Sequence, residues 1–226
     1  DFAERVDEAS ARVHPAPRAG APGAGGRERL PAMVGRQREA FEAALESPRE
    51  AEALERALSR RSRYDLLARS VESRLGRAET AAEAARALSD LAFLHAEHLG
   101  GLGSAEARIR ERALAIHRDL EQSQVSDDRA WAALGRVYDW LGEASAEAEV
   151  LERRVAAIAE RQDADAESDP FYRLAEVRLS DRASVPRGAE VLEWALERAP
   201  DLARAEKLLR RALESSTDDE RVVSLF

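Results

Sequence analysis

Two histidines on one predicted helix are the residues whose spacing could bind a metal ion. His95 and His98 lie three positions apart with Glu97 between them, and side chains at that spacing share one helix face. The protease arrangement, in which the histidines are four apart and a Glu follows the first, is absent. His117 would join as a third ligand only through an accident of packing. We therefore predict a packing role for His95 and neither a metal site nor a cofactor.

Carboxylate pairs are the second kind of candidate chemistry. Acid–base catalysis needs two carboxylates that are held in a cleft with separated pKa values. The pairs in this sequence stand at predicted helix starts and in loops, where an Asp caps the backbone and favours the positive end of the helix dipole. They are Asp127 with Asp128, Asp163 with Asp165, and Asp218 with Asp219. Capping is the better interpretation, and we predict no catalytic residue.

Phosphate binding and thiol chemistry are also disfavoured. The glycines between Gly20 and Gly26 follow no predicted strand and precede no Lys-Ser or Lys-Thr pair, so they do not form a phosphate-binding loop. The chain contains no cysteine, which excludes a cysteine nucleophile, a disulfide and a cysteine-based zinc site. We expect the chain not to be an enzyme.

Composition narrows the fold and the class of partner. A formal net charge of −9 argues against a general nucleic-acid binder. No apolar run approaches the roughly 20 residues of a membrane-spanning helix, so we predict no membrane insertion. Hydrophobic residues make up 44% of the chain and charged residues 35%, which suits amphipathic helices. Gly, Pro and β-branched residues are scarce beyond about residue 36, and this predicts an all-α fold.

The predicted organisation has two parts. A short helix over 1–13 and a flexible Pro/Gly-rich linker over 14–30 come first. A helical domain follows over 31–226. Because the chain begins at Asp1 and ends on what resembles the opening of another helix, we expect a fragment of a longer bacterial protein. Cytoplasmic, periplasmic and envelope-associated placements all stay open.

Capping signals mark the predicted helix starts. Ser47–Glu50, Thr80–Glu83 and Thr217–Glu220 read as capping boxes, and Asp169 followed by a proline opens another helix. Glycines mark helix ends at Gly76, Gly100 and Gly142. The predicted helices are 31–46, 49–60, 63–76, 80–99, 104–121, 127–141, 145–161, 169–180, 186–198, 202–214 and 218–226.

One predicted helical hairpin carries a recognisable pattern. Its residues are Trp131, Leu134, Gly135, Tyr138, Gly142 and Ala148. This spacing resembles the tetratricopeptide repeat, whose first helix reads W-x-x-L-G-x-x-Y. Partial copies flank it, at Leu91-Ala92 with His95 in the Tyr position and at Leu174-Ala175 with Arg178 there. The copies are roughly 40 residues apart, against about 34 in the standard repeat, so armadillo-like or HEAT-like stacks are an alternative.

The resemblance, which covers about 85–200, implies a right-handed α-solenoid of antiparallel helix hairpins. It also implies that the first helices line a concave face where a protein or peptide partner binds. The residues expected on that face are Arg86, Phe93, Glu97, Arg129, Arg136, Asp139, Trp140, Tyr172 and Glu176. Family members that grip a C-terminal carboxylate use recurrent Lys and Asn on these helices, and that pattern is absent here.

The resemblance also assigns packing roles. We expect burial of Leu134, Val137, Tyr138, Leu151, Leu174 and Leu196. The expected function is a non-catalytic scaffold for protein–protein interaction. Two alternatives stay open: a module that associates with copies of itself through its open repeat ends, and a regulatory or sensor domain fused to an enzyme outside these residues.

Overall fold

The structure, a computed structural model, describes residues 39–123, 127–161 and 168–215. Within these ranges the chain is built from α-helices joined by turns, including two short 3-10 helices, and no strand occurs among them. The all-α prediction is confirmed. The predicted linker over 14–30, the terminal helices over 1–13 and 218–226 and the glycines from 20 to 26 lie outside the described residues.

Apart from the start of the first helix, which is described only from residue 39, the described helices begin and end within about two residues of their predicted positions. They are α1 (39–46), α2 (Pro48–Arg60), α3 (Tyr64–Gly76), α4 (Ala81–His98), α5 (Glu106–Ser123), α6 (Asp128–Leu141), α7 (Ala144–Arg161), α8 (Asp169–Ser180), α9 (Val185–Arg198) and α10 (Leu202–Ser215).

The first described capping signals differ in their outcome. Thr80 caps α4 as predicted, because its Oγ1 accepts a hydrogen bond from the Glu83 amide at 3.2 Å. The Glu83 carboxylate in turn accepts from the Glu79 amide at 3.1 Å. Ser47 makes no capping hydrogen bond through its side chain, so the box predicted there is wrong. Helix α2 begins instead with Pro48, whose fixed φ suits a first helical turn.

The chain divides into two compact units between Arg77 and Ala78. This boundary lies within the segment that the sequence analysis treated as one domain. In the first unit α2 packs against α3. Their buried side chains are Ala51, Leu54, Leu58, Leu67, Ala68 and Val71. The Ser70 hydroxyl donates a hydrogen bond to the Glu55 carboxylate at 3.1 Å, which satisfies a buried polar group beside this apolar set.

Helices of the second unit pack against near neighbours in the sequence. Helix α4 contacts α5 and α6, helix α6 also contacts α5 and α7, and helix α8 contacts α7, α9 and α10. Apolar residues at three- and four-residue spacing supply the buried sides of these helices. The predictions of burial are confirmed for Leu134, Val137, Tyr138, Leu151 and Leu174. Leu196 is only partly buried, so its prediction holds in part.

Two glycines lie where helices approach each other closely. A Cβ added to Gly135 on α6 would lie 3.4 Å from the Val150 side chain on α7, which agrees with the predicted close approach in this hairpin. A Cβ on Gly188 of α9 would lie 2.8 Å from the backbone nitrogen of Leu179 on α8. Helices α8 and α9 therefore approach each other more closely at Gly188 than α6 and α7 do at Gly135, and the sequence analysis did not single out Gly188. Gly142, with φ at 68°, ends α6 as predicted.

Candidate functional site

The predicted binding residues of α4 and α6 lie on two exposed stripes. On α4 the spacing from Arg86 to Phe93 to Glu97 keeps these side chains on one side of the helix, and all three are exposed. On α6 the same reasoning groups Arg129 and Arg136, both exposed, with Trp140, which is half-buried. The stripes alternate with the buried positions that hold α4 against α6.

Two contacts bring these stripes side by side. The Phe93 and Trp140 rings lie 5.9 Å apart between centroids, late in each helix. Early in α4, Arg86 donates a hydrogen bond at 3.2 Å to the carboxylate of Asp127, the residue that caps α6. His98 meets the edge of Phe93 at 5.4 Å. Phe93, His98 and Trp140 are named the aromatic patch below.

Exposure of the aromatic patch is its unusual property. The Phe93 residue is 43% exposed, and the neighbouring His98 is exposed as well. A phenylalanine that stays in water forgoes much of the roughly 1.5–3 kcal/mol that full burial provides. The patch therefore retains apolar area that another molecule could cover.

Asp139 and Glu176 belong to an ion network centred on Arg173. The Arg173 guanidinium bonds both oxygens of Glu147, at 2.7 and 3.1 Å, and also bonds Asp139 and Glu176. Arg211 reaches the second oxygen of Glu176 at 3.1 Å. These bonds join α6, α7, α8 and α10. Asp139 and Glu176 are therefore engaged in holding helices together.

The pKa values of Glu147 and Arg173 in this network are both raised. Burial raises the pKa of the Glu147 carboxyl, and the hydrogen bonds from Arg173 partly offset that rise. The same hydrogen bonds raise the pKa of Arg173 above its ordinary value, so its guanidinium stays charged. A charged guanidinium that donates hydrogen bonds to three carboxylates is well suited to holding helices together.

Tyr172 was predicted to line the open face, and this placement is wrong. The residue is 1% exposed. Its hydroxyl donates to the Ala199 carbonyl oxygen at 2.8 Å and accepts from the Asp201 amide at 2.8 Å. The physical reason is that α10 packs against α8 and places the Arg204 guanidinium 4.9 Å from the centre of the Tyr172 ring, so this side of α8 is covered. Tyr172 fixes the turn between α9 and α10 and is unavailable to a partner.

His117 takes a packing role in the described part of the chain. His117 is buried and its Nδ1 lies 3.0 Å from the Tyr138 hydroxyl. Its ring also meets the edge of Trp131 at 5.5 Å. Burial lowers the pKa of His117 and raises the pKa of Tyr138 to about 12. No group of three or more His, Asp or Glu side chains in the described ranges is arranged to hold a metal ion.

Asp127 and Asp128 form the one predicted carboxylate pair whose side chains are described, and they serve as a cap and an ion-pair partner. Asp127 accepts a hydrogen bond from the Ala130 amide at 3.1 Å, which confirms the predicted cap. Asp128 accepts two hydrogen bonds from Arg154, at 2.9 and 3.1 Å. Each carboxylate thus has a structural partner. The pairs at 163 with 165 and 218 with 219 lie outside the described residues.

Sequence reasoning missed an apolar cleft of about 730 Å³ between α7 and α9. Its floor includes Phe171 and Leu174 of α8, and its walls include Ala156 on α7 and Trp194 on α9. Trp194 is 55% exposed. The signal available in the sequence was a tryptophan directly after Glu193 on an otherwise well-patterned helix, but only the packing shows what lies beside it.

The α4–α6 face and the α7–α9 cleft are the two candidate surfaces of the second unit. A scan against protein-family models and a search of curated proteins each gave no match for this chain. No helix in the described ranges is both long and apolar enough to span a bilayer.

Proposed function

We propose that this chain is a non-catalytic protein-interaction module that binds a segment of a partner protein on the face of α4 and α6. The observation that carries the proposal is the exposed aromatic patch beside the cationic stripe of Arg129 and Arg136. Aromatic and arginine side chains dominate interface energies when a partner removes them from water. The mixed surface suits a partner segment with both apolar and acidic side chains.

A preformed face is the mechanism that we propose for this binding. The stripes stand on helices that are already packed, so a partner orders few new torsions when it binds. Phe93 and Trp140 supply apolar area at the centre, while Arg136 and Glu97 supply charges around it. Trp140 is already half-buried, so we expect Phe93 to contribute more new contact area.

We further propose that the second unit is a right-handed, tetratricopeptide-like solenoid. In support, α4, α6 and α8 each contact the second helix of their own hairpin and helices of a neighbouring hairpin. Gly135 also faces Val150 across its hairpin at close range, as the motif's small residue should. Such repeats display their first helices as one extended binding surface.

The test replaces two exposed side chains of the face together. Phe93→Ala with Arg136→Glu should leave the melting temperature unchanged, because both residues are exposed. It should also abolish capture of the proteins that the wild-type chain retrieves from a lysate. The matched control is Leu114→Ala with Arg118→Glu on α5, where Leu114 is 42% exposed. The control should retrieve the same proteins as the wild-type chain.

Two results would reject the proposal. One is a folded Phe93/Arg136 variant that retrieves every wild-type partner. The other is a wild-type homodimer, seen by analytical ultracentrifugation, that the same variant dissociates. The second result would assign the face to self-association.

A further inference from the structure

We propose a second interaction surface: the cleft between α7 and α9 binds a short, basic, amphipathic helix of a partner protein. This surface uses none of the residues of the α4–α6 face, so it does not depend on the function proposed above. The proposal rests on the cleft's apolar floor, on its length, and on the charges that surround it.

The floor of the cleft is apolar and already well packed. Phe171 and Leu174 of α8 are 4% and 1% exposed, and Val155 and Val191 border them from either side. These side chains form a firm apolar base within the hydrophobic core of the second unit. An apolar group that enters the cleft would therefore meet a surface that needs no rearrangement.

The walls of the cleft leave room above this floor. Ala156 and Ala159 on α7 are both exposed and small. Opposite them, Trp194 on α9 leaves 55% of its surface in water. A large ring standing open beside an apolar floor is a typical anchor for a docked helix, since tryptophan is enriched at binding hot spots. An occupant that lay between the alanines and Trp194 would cover the ring.

The length of the cleft fits a short helix. Its lining on α7 runs from Glu152 to Glu160 and on α9 from Arg187 to Arg198. At 1.5 Å per residue these stretches are roughly 12 to 16 Å long, which is two to three helical turns. A helix of that length presents apolar side chains at i, i+3 or i+4, and i+7 to a groove. We therefore infer a helical occupant with an apolar stripe.

Charge at the rim selects a basic partner. The two cations that line the cleft are already engaged: Arg187 bonds Glu152 at 3.2 Å, and Arg198 lies over the Phe171 ring at 5.5 Å. Glu160 and Glu197 are exposed, and neither has an ion-pair partner among the side chains that the structure describes. Lysine or arginine flanking the apolar stripe of the occupant would pair with these carboxylates.

A second copy of this chain is a poorer occupant. The formal net charge of −9 makes two copies repel each other, and the available carboxylates at the rim would add to that repulsion. The experiment below therefore includes self-association as a result that overturns the proposal.

The probe is a synthetic helical peptide of twelve residues with leucine at i, i+3, i+4 and i+7 and lysine at the flanking positions. Its matched partner carries glutamate at every lysine position. Titration calorimetry with the full chain should show binding of the basic peptide. The acidic peptide should bind at least roughly tenfold more weakly, because charge complementarity suppresses the wrong partner.

Variants of the chain locate the binding. Trp194→Ala should lower the affinity for the basic peptide roughly tenfold or more, as loss of a hot-spot tryptophan does. Leu202→Ala on α10, where Leu202 is 75% exposed, should leave that affinity unchanged. Glu160→Lys with Glu197→Lys should also lower the affinity for the basic peptide, whereas Glu111→Lys with Glu214→Lys should leave it unchanged. The last pair controls for the change in net charge.

The Phe93/Arg136 variant separates the two proposals, because it should bind the basic peptide as the wild-type chain does. Three results would overturn the cleft proposal: equal affinity for both peptides, unchanged affinity in the Glu160/Glu197 variant, or a wild-type dimer that Trp194→Ala dissociates. If Trp194→Ala lowers the melting temperature, the Glu160/Glu197 variant decides, because both of its changed side chains are exposed.

Discussion

The hairpin of α6 with α7 and the hairpin of α8 with α9 bury equivalent leucines among different polar partners. Leu134 and Leu174 are 0% and 1% exposed. Four positions further on, the first hairpin has Tyr138, whose hydroxyl meets His117. The second has Arg178, which bonds Glu152 of the preceding helix at 2.9 Å. Both hairpins thus bury a leucine at the aligned position, while the side chain four residues later has a different polar partner in each.

The two buried tyrosines also differ in the kind of group that their hydroxyls contact. Tyr138 meets a side chain that can titrate, whereas the Tyr172 hydroxyl bonds main-chain groups of Ala199 and Asp201. Main-chain groups do not change their charge between pH 5 and 8, but a histidine does. The first hairpin is therefore the one whose packing should respond to pH.

Substitution of the buried leucine in each hairpin should cause the largest loss of stability. Leu134→Ala and Leu174→Ala should each lower the free energy of unfolding by about 2–5 kcal/mol, because each leaves a cavity in a fully packed core. Urea denaturation followed by circular dichroism measures this loss. Leu114→Ala, at an exposed position, is the matched control and should change stability by less than about 0.5 kcal/mol. A large loss for only one of the two buried leucines would break the equivalence of the hairpins.

Substitution of the two glycines at close helix contacts should lower stability by unequal amounts. Gly188→Ala should cost about 1–3 kcal/mol, because the new Cβ would press on the backbone of Leu179, which cannot rotate away. Gly135→Ala meets only the end of the Val150 side chain at ordinary contact distance, and the higher helix propensity of Ala offsets much of that contact. Thermal unfolding of both variants tests the contrast. Equal losses would mean that the crossings are equally tight.

Acidification should give the smallest effect, and it should act through His117. Its pKa is lowered by burial, so below the ordinary value of about 6.5 the unfolded chain takes up a proton more readily than the folded chain. Stability should therefore fall as the pH drops from about 6.5 to 5. Glu121, Glu149 and Arg153 are the charged groups that act on this ring.

The pH effect is measured as the melting temperature of the wild-type chain against His117→Gln, which should show a flatter profile over that range. His98→Gln changes an exposed histidine and should retain the wild-type slope. A His117→Gln profile as steep as that of the wild-type chain would assign the pH dependence to other groups.

Apolar spacing and capping residues were enough to predict the helices and most of the core. Thr80 and Gly142 act locally, so their roles can be inferred from a few neighbouring residues. Tyr172 was misplaced because periodicity shows which residues share a face but not how many helices cover that face. Gly188 was missed because its close contact is with Leu179, on the preceding helix, and no local pattern marks that crossing.

The candidate surfaces were predictable to different degrees. Phe93 and Trp140 were assigned to one face by equating positions on successive first helices, and their rings do meet. Trp194 was not assigned, because an exposed tryptophan means little until the floor beneath it is known. That floor is made by Phe171 on another helix, and its position depends on how three helices pack together.

Packing between near neighbours also determines how the second unit can be made during synthesis. The main partners of each described helix from α4 to α10 lie one or two helices away along the chain. Assembly therefore closes only short loops, which favours rapid folding. Because synthesis releases the N-terminal end of a chain first, the partners that precede each helix have already been made when that helix emerges.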